Sequence, residues 1–205
     1  SGRVNMKEVE KSTQYLIADG FDIGTDRDPY KNFVYTSFQE LATNISHKRV
    51  GQLAKKTGNH LLGKMCAIIA GDEMRHHLAY REFVKHIFAQ DPSQMLLAFS
   101  DMMKKKIVMP AHFLRESGGA ASSAFEVFSN CAQRLGVYTS KDYIDILDKL
   151  NSYWDIENLR TLTDEAEKAR DYLVKLPDRL TRIADRMRFP EDQHHFKWVT
   201  PNGVL

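Results

Sequence analysis

The stretch Ile68-Ile69-Ala70-Gly71-Asp72-Glu73-Met74-Arg75-His76-His77 constrains this chain more than any other. It lies inside a segment of helical periodicity from His60 to Ala89, closed by Asp91-Pro92. A Glu three residues before a His sets a carboxylate and an imidazole one turn apart on one helix face. Four-helix bundles build carboxylate-bridged di-iron and di-manganese centres from that half-motif. A full centre takes two such motifs and one Glu from each of two more helices. Glu73 and His76 supply one motif, and no second Glu-x-x-His stands in a matching setting.

The third ligand is expected from the preceding helix, Tyr30 to Lys56. There Phe33, Phe38, Leu41 and Ile45 have core spacing, while Thr36, Glu40, Thr43 and His47 form a polar line at intervals of four, three and four. A polar line on an otherwise buried helix needs partners or a metal. Thr57-Gly58-Asn59 is a turn. Glu40 lies 18 residues before Gly58 and Glu73 lies 15 after it. At about 1.5 Å per residue, the two arms of an antiparallel pair then differ by roughly one helical turn. Glu40 therefore comes nearly level with Glu73 and His76.

The remaining chain reads as more helix. Asn5 caps a helix from Met6 to about Asp19, with Glu8 as the capping-box acid. Gly20 ends it, and Phe21 to Pro29 is a loop. Ser93 to Met109 is a fourth helix, stopped or kinked by Pro110. Glu116 to Ser123 is a flexible linker, Ala124 to Leu135 is helical, and Thr139 starts a helix reaching Trp154. Thr163 caps a last helix through Arg186, which Pro177 should kink or split. Asn202-Gly203 between apolar residues signals a small hairpin. The expected class is all-α, a helical bundle with an incomplete ligand set and a small C-terminal hairpin. One domain over 1–205 is expected, with 1–92 carrying half of the metal-site helices, 93–189 additional helices and 190–205 the tail.

Bulk properties narrow the chemistry. A formal net charge of +2 is too small to imply nucleic acid. Cys66 and Cys131, the two cysteines, sit in apolar helical settings and read as reduced core residues. No apolar run approaches the 18–20 or so residues of a membrane span. The first residues carry no signal or transit pattern.

Several stretches carry a resemblance. Phe33-Val34-Tyr35-Thr36-Ser37-Phe38-Gln39-Glu40, Ile45-Ser46-His47, Asp72-Glu73-Met74-Arg75-His76 and Leu97-Ala98-Phe99-Ser100-Asp101-Met102-Met103 resemble the soluble acyl-acyl-carrier-protein desaturases of plant plastids. So do Met109-Pro110-Ala111-His112, Gln133-Arg134-Leu135-Gly136-Val137-Tyr138-Thr139 and the Phe196-x-Trp198 tail. The resemblance spans essentially the whole chain. It implies a homodimeric ferritin-like bundle in the plastid stroma. Each intact subunit would hold two Fe(II) ions and desaturate an acyl chain on acyl carrier protein with O2 and ferredoxin electrons. By motif match Glu40, Glu73 and His76 are iron ligands. The family's other Glu and Glu-x-x-His helices lie upstream of the matching stretch, so this chain is expected to hold half of the ligands and to be inactive alone. The alternatives are a truncated, non-catalytic isoform that dimerises with a full-length desaturase, or another ferritin-like di-iron oxygenase.

Further roles follow with bland readings beside them. Thr43, one turn past Glu40, is the catalytic candidate, against a helix Thr bonded to its own backbone. Asp72 and Arg75 are candidates for orienting the ligands, against two solvated charges. By resemblance, Ile23, Thr25, Asn32 and Phe33 line the deep end of the acyl pocket. Lys104, Lys105, Lys106, Arg179, Arg182 and Arg186 form basic clusters suited to an acidic carrier protein or ferredoxin, against a solvated face.

Overall fold

The structure, a computed structural model, describes residues 4–118, 123–189 and 195–199. Among these residues it is all helix, with no strand. The chain divides into two compact units. One comprises Ser1–Ile23, Val108–Leu135 and Arg188–Leu205, the other Gly24–Ile107 and Gly136–Met187.

The second unit holds the site. Its centre is an antiparallel pair, α2 (Pro29–Lys56) and α3 (His60–Gln90). Asp28 caps α2 by accepting from the Tyr30 and Lys31 amides, and Pro29 opens it, a position where a missing N–H costs nothing. Asn59 caps α3 by accepting from the Leu62 amide. The pair approaches closely near its turn. A Cβ on Gly51 would meet Cys66 Cβ at 3.0 Å, and one on Gly63 would meet Lys55 Cγ at 2.7 Å. Helices α4 (Pro92–Lys105) and α6 (Ser140–Tyr153) pack onto it, and α7 (Asp164–Ala184) packs against α4 and α6. Phe38, Phe99, Met95, Leu96, Ile146, Leu147, Leu150 and Leu173 are fully buried here. Each such side chain contributes about 1.5–3 kcal/mol. Trp154 caps this core, its ring 5.1 Å from Phe99 and 5.7 Å from Phe88. Its indole N–H donates to the Arg81 carbonyl at 2.9 Å.

Two helices differ from the sequence reading, each for a local reason. Helix α4 stops at Lys105 rather than Met109. Lys106 turns left-handed at φ +66°, and the Ile107 amide bonds to the Tyr143 hydroxyl at 3.2 Å instead of continuing the helix. Helix α7 runs unsplit through Pro177. Proline leaves the carbonyl four residues earlier without its donor. That carbonyl is Leu173's, and Asn151 Nδ2 of α6 donates to it at 2.9 Å. Helix α6 opens with a full capping box, Thr139 and Asp142 bonding each other's backbone amides, which the sequence reading had passed over.

In the first unit, α1 (Met6–Asp19) begins at Asn5 as expected, its side chain accepting from the Glu8 amide. The reciprocal half of the box is absent. The Asn5 amide bonds to the Trp198 carbonyl at 2.8 Å, and Glu8 accepts instead from Lys11 and Ser117. Helix α5 (Ser123–Arg134) follows a 3-10 turn at Pro110–Phe113. Asp19 is clasped by Arg115 at 2.5 and 3.1 Å. An antiparallel bridge joins Val4 to Val199. The hairpin expected at Asn202-Gly203 and most of the Gly118-Gly119-Ala120-Ala121 stretch lie outside the described residues. No described helix is long and apolar enough to cross a membrane.

Candidate metal centre

Two antiparallel helices bring three candidate ligand side chains to one depth. Glu40 projects from α2, and Glu73 and His76 from successive turns of α3. His76 Nδ1 stands 3.3 Å from Glu40 Oε2 and 3.3 Å from Glu73 Oε2. One ligand atom from each of the three residues lies within 4.8 Å of the others. Glu40 and Glu73 are half-buried and His76 is exposed.

The electrostatics suit a cation. Burial raises the Glu40 carboxyl, the neighbouring Glu73 carboxylate raises it further, and His76 opposes both, leaving it at about 7. Desolvation lowers His76, but the two carboxylates more than reverse this and hold it above the usual imidazole value. A bound divalent ion would replace the shared protons and relieve the repulsion between the carboxylates. Two carboxylate oxygens and an imidazole nitrogen are a donor set that iron accepts. They fit one side of a two-metal centre, supplying half of its Glu and His complement.

The next residue shows what a structural histidine looks like. His77 is 4% exposed, and its Nδ1 sits 2.7 Å from the Ser37 carbonyl of α2. Burial lowers its pKa, so it remains neutral and ties α3 to α2.

With the geometry described, the comparisons with known proteins bear on it. A family model described as fatty acid desaturase matches residues 1–200. The chain belongs to that family. Among its relatives, the chloroplastic stearoyl-acyl-carrier-protein 9-desaturase of Spinacia oleracea is 50% identical over 207 residues, covering 100% of this chain and 51% of that protein. The corresponding enzyme of Olea europaea is 51% identical over 186 residues, covering 91% of this chain and 47% of that protein. The chloroplastic palmitoyl-acyl-carrier-protein 4-desaturase 3 of Ophrys sphegodes is 48% identical over 209 residues, covering 100% and 52%. The chain thus spans about half the length of these desaturases.

The other residues singled out in the sequence occupy varied settings in this member of the family. Thr43 Oγ1 donates to the carbonyls of Gln39 and Glu40 at 3.1 and 3.0 Å, one turn from the ligand. Asp72 and Arg75 form an ion pair with each other on the outer flank of α3. Thr25 is buried, and Asn32 Nδ2 donates to the Asp28 carbonyl at 3.0 Å. Phe33 joins Tyr80 and Phe83 in an aromatic trio with ring centroids 5.9–6.2 Å apart, two turns from Glu40. Ile23 is half-buried and belongs to the other unit.

Lys105 is not a free surface cation. Together with Lys31 it grips Asp26 and Asp101 at 2.6–3.1 Å, pinning the loop before α2 onto α4. Lys104 lies 5.3 Å from the Tyr172 ring centroid, and Lys106 is exposed. Arg179, Arg182 and Arg186 are all exposed.

Two positioning contacts were missed by the sequence reading. Asn44, 1% exposed and one turn beyond Glu40, donates through Nδ2 to the Ala70 carbonyl at 2.5 Å, one turn before Glu73. It fixes the register of the two ligand helices next to the ligands. Arg49 of α2 clasps Asp142 of α6 with two bonds, 2.5 and 2.7 Å. The only hint of Asn44 was a short polar residue inside an apolar helix, and the Asp142 hint was the Thr139-Ser140-Lys141-Asp142 spacing itself.

Proposed function

We propose that this chain carries the Glu and Glu-x-x-His half of the di-iron centre of an acyl-acyl-carrier-protein desaturase that works in the plastid. The convergence of Glu40, Glu73 and His76 within 4.8 Å is the observation that carries the reading. The relatives named as stearoyl- and palmitoyl-acyl-carrier-protein desaturases supply the substrate class. Their printed chloroplastic location supplies the compartment.

In this reading Glu40, Glu73 and His76 hold iron. When bound with its full ligand set, iron supplies the redox chemistry by which O2 and two electrons, drawn from ferredoxin, remove hydrogens from adjacent methylenes of the acyl chain. The chain's own residues do the positioning. Asn44 and His77 lock α3 against α2, so the carboxylates are aimed before any metal arrives. The Phe33, Tyr80 and Phe83 rings give an apolar wall two turns from the ligands, suited to a methylene chain. Thr43 lies beside the ligands with its hydroxyl oxygen still able to accept a hydrogen bond. The exposed arginines Arg179, Arg182 and Arg186 suit an acidic carrier protein or ferredoxin.

Three protein ligands are half of what a bridged pair takes. Desaturation therefore needs ligands from beyond a single copy of these residues, and a single copy is inactive. The gene products compared carry about twice this length, which agrees with that need. Calorimetric titration with Co(II) tests the ligand assignment. The expected result is a single saturable site per chain that weakens at least tenfold in Glu73→Gln and in His76→Ala. Unchanged binding in both variants would reject the assignment. Two irons bound by a monomer with O2-dependent desaturation of stearoyl-acyl carrier protein would reject the half-site.

A further inference from the structure

A cavity of about 520 Å³ lies between α2, α3 and α6, and none of Glu40, Glu73 and His76 lines it. Every residue that does line it belongs to these three helices of one unit, so it is a crevice between packed elements. Its size falls within the roughly 300–1,000 Å³ of small-molecule sites. Leu41, Met74 and Leu150 give it an apolar wall. Arg81 and Lys149 bring two cations to it, and Asp148 brings one carboxylate.

Arg81 is held in place without being neutralised. Its backbone carbonyl accepts from the Trp154 indole at 2.9 Å. Its guanidinium lies over the Tyr153 ring, 4.1 Å from the centroid, and the Tyr153 hydroxyl bonds to Glu82. Stacking of this kind orders a guanidinium and leaves its N–H fork unused. No carboxylate among the described residues pairs with that fork, and the buried Nε has no acceptor. Arg49 and Arg115, by contrast, each clasp a carboxylate through two bonds. An ordered fork that lacks its carboxylate matches the geometry of a phosphate.

The other polar groups of the lining narrow the ligand. Lys149 is exposed and makes no ion pair among the described residues. Asp148 is exposed too, and its single charge opposes two cations. His77 Nδ1 stands 2.7 Å from the Ser37 carbonyl, which can only accept, so Nδ1 carries the proton and Nε2 is left as an acceptor. A phosphate monoester loses its second proton near about pH 6. It therefore offers oxygens to Arg81 and Lys149 and, while singly ionised, an O–H to an acceptor such as the His77 ring. A carboxylate near neutrality cannot offer both. The apolar wall then takes the organic part of the ester.

We propose that the crevice between α3 and α6 binds a phosphate monoester with an apolar body, its phosphate on Arg81 and Lys149 and its body on Leu41, Met74 and Leu150.

Calorimetric titration of the full 205-residue chain with hexyl phosphate, in chelator so that no metal contributes, tests the proposal. The expected result is one saturable site per chain. Arg81→Gln should weaken it about tenfold or more, the scale of a lost charge-assisted hydrogen bond, and Lys149→Gln should weaken it by a smaller factor. Inorganic phosphate should bind about tenfold more weakly than the ester, because it leaves the apolar wall unused. Hexylammonium should not bind. Residue 149 is exposed, so the Lys149→Gln variant keeps its circular dichroism and remains informative should Arg81→Gln unfold. Affinity unchanged in both variants overturns the proposal. So does hexylammonium binding as tightly as the ester, since the crevice would then select only for the alkyl chain. Inorganic phosphate as tight as the ester overturns the apolar body, and no heat from the parent chain at millimolar ester overturns the site.

Discussion

Helix α3 has two faces with nearly the same spacing and opposite fates. Gly63, Cys66, Ala70, His77 and Val84 face inward and are buried, at intervals of three, four, seven and seven residues. Leu62, Met65, Ile69, His76 and Phe83 repeat the same intervals one residue out of phase, on the open side. Periodicity alone cannot say which line is packed. What separates them is residue size and polar partnership. The inner line uses small residues where the backbones approach, and its one histidine is satisfied by the Ser37 carbonyl. The outer line uses large residues, and its histidine faces two carboxylates. Adjacent histidines of one helix thus have unrelated jobs.

This contrast can be attacked at matched positions. The largest effect belongs to the packed face. Phe88→Ala, which empties a site against Trp154, is expected to cost about 3–5 kcal/mol in urea unfolding. Phe83→Ala on the open face should cost under about 1 kcal/mol. Equal losses would abolish the distinction.

Next comes the buried hydrogen bond. Asn44→Ala leaves the Ala70 carbonyl without its side-chain donor and should cost about 1–3 kcal/mol. It should also loosen Co(II) binding, because the two ligand helices lose their shared register. A stable variant with unchanged affinity would show that the register is set elsewhere.

A pH series on the Arg49–Asp142 clasp gives a smaller effect of known sign. Burial raises the Asp142 carboxyl, but the Arg49 guanidinium and Thr139 outweigh it and hold the carboxyl below its ordinary value. A lowered folded-state pKa means the contribution is fully present above the unfolded carboxylate value of about 3.9. It is lost as pH falls through the folded value. Arg49→Gln should therefore cost about 1–2 kcal/mol at pH 6, with the gap to the parent closing below about pH 4. A gap that widens on acidification would contradict the assignment.

The smallest change in stability is expected at His76. His76→Ala should shift unfolding by no more than about 0.5 kcal/mol, since the side chain is exposed, while His77→Ala costs about 1–3 kcal/mol. The same pair should reverse in metal affinity, with the residue-76 variant weakened far more than the residue-77 variant.

The closeness of Glu40, Glu73 and His76 was legible in the sequence. The helices existed where apolar spacing put them, and counting residues on each arm of the Gly58 turn placed Glu40 beside His76. That worked because helix rise is fixed and the turn is short. Partnerships across long sequence separation were not readable. Asn44 finds its acceptor 26 residues away, and the Arg49 fork finds Asp142 in another helix. Lys105 read as surface charge because its partner Asp26 lies 79 residues back in a loop. Helix continuity through Pro177 was unreadable for the same reason, since its remedy sits on α6.

That remedy has a wider consequence. The Leu173 carbonyl exists as an unclaimed acceptor only because Pro177 stands four residues on, and Asn151 answers it from the neighbouring helix. The two positions act as lock and key for translation along the axis: sliding α7 by a single 5.4 Å turn would strand both groups. A proline usually regarded as a helix breaker therefore serves here as the gauge that sets how far α6 and α7 may travel past each other.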